Sequence, residues 1–109
     1  MDTNLITTST ALEGYRINRH LGVVRGITVR SRGIGGNFLG MLQAIGGGKI
    51  GAYVKLCEQA RQEAFQQLVG HAEAVGANAI INMRYDANEV MQGITEVLAY
   101  GTAVIVEKA

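Results

Sequence analysis

The sequence predicts an α+β fold: a mainly antiparallel sheet packed on one long helix, as a two-layer sandwich. Three observations carry this. A single stretch, Ala52 to about Val75, repeats apolar residues at steps of three and four, the period of a helix with one buried face. Segments on both sides of it, 21–31, 78–86 and 95–108, alternate or run apolar over strand lengths. At 109 residues, the chain has the size of one domain, 1–109, with one modest core.

In chain order, "LITTST" (5–10) is rich in β-branched residues and reads as a short β segment. The clearest strand is "LGVVRGITVRS" (21–31). Val23, Ile27 and Val29 share one face there, and Thr28, Arg30 and Arg32 the other. Arg25 falls among the apolar set, which implies a bulge beside Gly26 or pairing across an interface. "NFLGMLQAI" (37–45) suits two helical turns with Asn37 as N-cap. The long helix follows, with Tyr53, Cys57, Ala60, Ala64, Leu68, Ala72 and Val75 as its stripe and Gly76 as the residue that ends it. So many alanines let a helix lie close on a sheet. In "NAIINMRYD", Ala79, Ile81, Met83 and Tyr85 alternate with Asn82, Arg84 and Asp86. "ANEVMQG" (87–93) reads as a turn. The last strand, 95–108, is apolar on both faces, so both need cover. One helix covers one face, and a second protomer is the candidate for the other.

Composition points the same way. Hydrophobic residues make up 48% of the chain and charged residues 17%, which leaves little polar surface to cover the core. Oligomerisation solves that problem. Residues 1–55 carry seven Lys/Arg and two acids, whereas residues 56–109 carry three basics and seven acids. The halves either neutralise each other within one fold or meet head to tail in a ring. A pI near 7.9 and the absence of aromatics among the basic residues speak against nucleic acid. No run reaches the length of a membrane span and no secretory leader opens the chain, and a lone Cys57 fits a reducing, cytoplasmic setting.

Motifs for chemistry are sparse. "RGIGGNFLGMLQAIGGGKIG" (32–51) holds eight of the fifteen glycines. It fails as a Walker loop, because Gln43 stands where glycine is required and Ile50 where the Mg²⁺-binding hydroxyl is required. Gly46, Gly48 and Gly51 match a dinucleotide fingerprint in spacing, but His71 stands at the position of the ribose-binding acid. A looser anion site at Gly48 and Lys49, on the helix N-terminus, stays open beside the plainer reading of a tight turn. The metal-ligand candidates are His20, Cys57 and His71. Cys57 and His71 lie fourteen residues apart on one helix. That is about 21 Å of rise, too far for one ion. Cys57 lies on the apolar stripe and reads as a buried thiol. Asp86 and Glu96 flank the final turn, where Arg84 is expected to pair with a carboxylate. No catalytic constellation emerges, so an enzyme is the least favoured class.

"STALEGYRI", "LGVVRGITVRS", "GGGKIGAY", "ARQEAFQQLVGHAEAVGANAIINMRYD" and "EVLAYGTAVIV" together resemble the YbjQ-like family of small bacterial and archaeal proteins, over about residues 6–106. The most specific parts are Gly47-Gly48, Tyr53, Ala60-Arg61, Ala64, Gly76-Ala77-Asn78-Ala79 and Tyr100-Gly101-Thr102-Ala103-Val104. The resemblance implies a dodecin-like subunit in a ring-shaped pentamer, in a family labelled heavy-metal-binding whose function is not established. This chain departs from it at Gln43, Ala44 and Val54, where members tend to carry charges. That argues against a metal or polar site there. Two functions follow as expectations. One is a cytoplasmic homopentamer that binds a small ligand or metal ion between protomers, lined by Arg61, Arg84, Asp86, Tyr100 and Thr102, with Gly48 and Lys49 in reserve. The other is a structural or adaptor ring that presents an apolar surface to a protein partner.

Overall fold

A computed structural model describes residues 1–31, 50–91 and 94–109. A 3-10 turn, Thr3–Leu5, precedes β1 (Tyr15–Ser31), α1 (Ile50–Ala74), β2 (Ala79–Met91) and β3 (Ile94–Lys108). The strands form one sheet in the order β1-β3-β2, and both pairings are antiparallel. Strands β1 and β2 therefore run parallel, joined through α1, with β3 inserted between them: a split βαβ unit. The expected helix at 37–45 and its Asn37 cap lie outside the described residues.

The helix sits on the sheet because its stripe is small. Leu56, Ala60, Ala64, Leu68 and Ala72 are buried, at steps of four. Opposite them, Val24, Gly26 and Thr28 of β1 and Val97, Ala99, Gly101 and Ala103 of β3 face the helix. The apolar trio Val23, Ile27 and Val29 thus lies on the other, open face, and Val23 is 74% exposed. Two corrections follow on the helix. Cys57 is exposed, because the buried stripe passes through Leu56 instead and a 100° turn carries the thiol off it. Val75 lies beyond the last helical residue and is 41% exposed. The side chain of Tyr53 is outside the described part.

The helix ends as expected. Gly76 has φ +89°, its amide donates to Glu73 O at 3.0 Å, and Ala77 N donates to Ala72 O at 3.0 Å, which is a Schellman cap. The chain then turns directly into β2 through Asn78. Its side chain accepts from Val106 N at 2.8 Å and donates to Val106 O at 2.9 Å, so it extends the ladder of β3 by one rung. Asn78→Ala removes both bonds. It is expected to destabilise the fold by about 1–2 kcal/mol in urea melts.

Arg25 is not at a bulge. It pairs in regular register with Tyr100, and the irregularities of β1 fall between Ile17 and Arg19 and between His20 and Gly22. Its amide points off the free edge and donates to His71 Nδ1 at 3.1 Å, while Ile27 N donates to Gln67 Oε1 at 3.1 Å. Helix side chains thus close this stretch of an edge strand that would otherwise offer unpaired amides. In β2, the alternation breaks at Asn82, which has φ +53° and sits in a register shift between Ile81 and Arg84. Before it, Ala79 and Ile81 face away from the helix. After it, Met83 and Tyr85 face the helix side, so Ala79, Ile80 and Ile81 are all buried in succession.

"LITTST" forms no strand. Only Ile6 bridges Ile80, in parallel, with Thr7 N donating to Ile80 O, Met83 N to Thr7 O and Asn82 N to Ser9 O. This segment covers one end of the outer sheet face, where Leu5 and Leu12 pack on Ala79, Ile81, Val104 and Val106. Part of the cover expected from a second protomer is thus supplied by the chain itself. "ANEVMQG" is largely strand rather than turn, because β2 stays paired with β3 out to Met91 opposite Ile94. One polar group is out of place. Thr28 is 5% exposed under the helix, and among the described residues its hydroxyl has no hydrogen-bond partner. Thr28→Val keeps the shape and removes the orphan, and is expected to raise stability by about 1 kcal/mol in the same melts.

Candidate functional site

The outer face of the sheet, opposite α1, collects most of the expected site residues. Register places them in rows across the three strands. Val23, Thr102 and Ile81 form one row, Arg25, Tyr100 and Arg84 the next, then Ile27, Leu98 and Asp86, then Val29, Glu96 and Asn88. The N-terminal segment ends as a ledge beside the second row, where Arg84 Nη1 donates to Thr8 O at 2.8 Å and to Met83 O at 2.9 Å. Arg84 was expected to pair with a carboxylate. It holds carbonyls instead, because the bulge at Asn82 brings the N-terminal segment within its reach. Asp86 and Glu96 sit one register step apart on this face, as diagonal neighbours. Asp86 Oδ2 accepts from Asn88 Nδ2 at 3.2 Å.

The structure therefore brings Arg84, Asp86, Tyr100 and Thr102 together and leaves Arg61 out. Arg61 lies on the helix side, with its guanidinium carbon 5.7 Å from the centre of the Tyr85 ring. Burial pushes the Tyr85 phenol above its ordinary value; the Arg61 charge opposes that rise and Glu58 adds to it. Gly48 and Lys49 are outside the described residues. Arg25 joins the outer face, and sequence reasoning missed it as a site residue. The signal was present: a lone arginine in an apolar alternation marks a position that faces something other than the core.

The expected soft ligands do not converge within one chain. Cys57 is exposed on α1, His20 lies on β1 opposite Val104, and the Nδ1 of His71 is taken by the Arg25 amide. No three of the described His, Cys, Asp and Glu residues are grouped to hold a metal ion. Residues 32–49 and 92–93 contain none of these four residue types. No described helix is long and apolar enough to cross a membrane.

A three-stranded antiparallel sheet on one helix, with an N-terminal ledge over one end of its outer face, defines the class. A crystal structure of a Pediococcus pentosaceus protein of unknown function, of the DUF74 family, has the same fold; the TM-score is 0.59 at 21% identity, over 94% of this chain and 96% of that one. The family model described as "Putative heavy-metal-binding" matches residues 4–107, and the chain belongs to this YbjQ family. A UPF0145 protein of Chromobacterium violaceum is 56% identical over 107 residues, covering 98% of this chain and 92% of its own length. A UPF0145 protein of Burkholderia thailandensis is 55% identical over 103 residues, covering 94% and 93%.

Proposed function

We propose that the protein works as a homo-oligomer that binds a small ligand on the outer sheet face, between copies. One observation carries this reading. The outer face is covered by the N-terminal segment at one end only, and the remainder, with Val23, Ile27, Val29 and Tyr100, stays exposed in a single chain. A contiguous apolar strip with interleaved arginines and carboxylates is what an interface needs, with polar groups left over to fix a ligand. The opposed charges of the two halves suit a head-to-tail ring, and five is the number that the family resemblance implies. The cytoplasm suits an exposed, unpaired Cys57 thiol.

A heavy-metal ion would need donors from more than one copy, because one chain does not group them. Leu98→Glu tests the reading. It places a charge in the centre of the strip, beside Ile27 and Asp86. The expected result is a smaller particle by light scattering with an unchanged circular dichroism spectrum. An unchanged particle size would remove the outer face from the interface.

A further inference from the structure

The row Arg25–Tyr100–Arg84 crosses the sheet with an arginine on each edge strand and a tyrosine between them. Their strand neighbours Val24, Gly26, Ala99, Gly101 and Met83 are buried under α1, so the three side chains leave from the outer face. Neighbouring strands lie about 4.8 Å apart, which sets the two arginine Cα atoms roughly 10 Å apart. Among the described residues neither guanidinium forms an ion pair. Arg84 is held in place through one nitrogen by the carbonyls of Thr8 and Met83. Among the described residues its other nitrogens and the whole Arg25 guanidinium remain as donors. Two like charges on one row repel each other, and the carboxylate of the next row, Asp86, takes a bond from Asn88. What completes such a row is a negative group with several acceptor oxygens, seated over the Tyr100 hydroxyl and reached from both sides.

We propose that this row binds a small oxyanion, a phosphoryl or polycarboxylate group, against the ledge of the N-terminal segment. This deepens the ligand reading above and rests on it only in using the same face. Donors on three strands of one sheet are rigidly spaced, so the site selects for charge and width rather than for a particular skeleton. Asp86 and Glu96 lie further along the same outer face, so they repel anions from there and confine them to the row.

The test is isothermal titration of the full chain with inorganic phosphate and, separately, with citrate, at constant ionic strength, alongside the native mass of each sample. The expected result is saturable binding of at least one of them, weakened about tenfold or more in Arg25→Gln, since a charge-assisted donor is lost. Tyr100→Phe keeps the ring and is expected to weaken binding less. The stronger of the two anions tells a phosphoryl ligand from a carboxylate one. No binding of either anion by an intact assembly, or equal binding by wild type and Arg25→Gln, overturns the proposal and leaves the assembly reading standing. Anion binding by a single-copy particle supports the row and overturns the assembly instead. If Arg25→Gln breaks the assembly and phosphate and citrate do not bind, the row serves a neighbouring copy's carboxylate, and the proposal is wrong.

Discussion

Gly26→Ala is expected to cost the fold about 3 kcal/mol or more, near the top of the range for overpacking. A Cβ at this position would overlap the Ala64 carbonyl oxygen and stand 2.5 Å from Leu68 N and 2.8 Å from Gln67 Cβ. Two of these atoms are helix backbone, which no rotamer change can move. The helix must lift, and with it go the contacts of Ala60, Ala64, Leu68 and Ala72 with Val24 and Ala103. The bonds from Arg25 N to His71 and from Ile27 N to Gln67 lengthen at the same time. Urea denaturation reads the loss directly. Gly101→Ala is the milder control, because its nearest obstacle, Ile80 Cγ2 at 2.7 Å, is a side-chain methyl. A cost below about 1 kcal/mol for Gly26→Ala would mean that the helix rides higher on β1 than described.

Leu68→Ala is expected to be as damaging, at about 4 kcal/mol, in the upper part of the range for buried leucines. Leu68 is fully buried and is the one large side chain in the run Ala60, Ala64, Leu68, Ala72. Its neighbours along the stripe are alanines, which have no atoms to move into the space. The cavity therefore stays open, and the cost includes the cavity as well as the lost transfer energy. The melt should keep its slope and shift its midpoint, since the same surface is exposed on unfolding. A loss under 2 kcal/mol would show that the helix settles into the gap, as a loosely seated helix would.

Much of the fold was legible because it rests on local signals. The helix period and the glycine at its C-terminus each state one physical requirement, and each was met where expected. The doubly apolar last strand has the helix on one face and the N-terminal segment on one end of the other. What was misread depended on partners distant in sequence. Alternation marks two faces but does not say which one meets the helix. In β1 the bulkier trio, Val23, Ile27 and Val29, took the open face, because close helix packing needed Gly26 on the other. The stripe was taken to pass through Cys57 rather than Leu56, because cysteine and leucine are both apolar and adjacent. The bulge at Asn82 inverts the faces of β2, and nothing in "AIINMRYD" announces it until Thr7 and Ser9 are seen hydrogen-bonded there.

The candidate site was half legible for the same reason. Arg84, Asp86, Tyr100 and Thr102 share a face because strand periodicity puts them there once the register is known. Arg61 was grouped with them as part of a helix motif, yet α1 and the outer face lie on opposite sides of the sheet. Arg25 was noticed as an anomaly in an apolar strand, and only the register opposite Tyr100 turns that anomaly into part of a row.

The central claim is that the uncovered remainder of the outer face is closed by another copy of the chain. Native mass spectrometry of tag-free protein, prepared without added metal, tests it most directly. The account predicts a defined multiple of 11.6 kDa, five by family resemblance, that falls toward the single-chain mass in Leu98→Glu. A wild-type protein that stays at 11.6 kDa at micromolar concentration would contradict it, and the exposed strip would then need a different occupant.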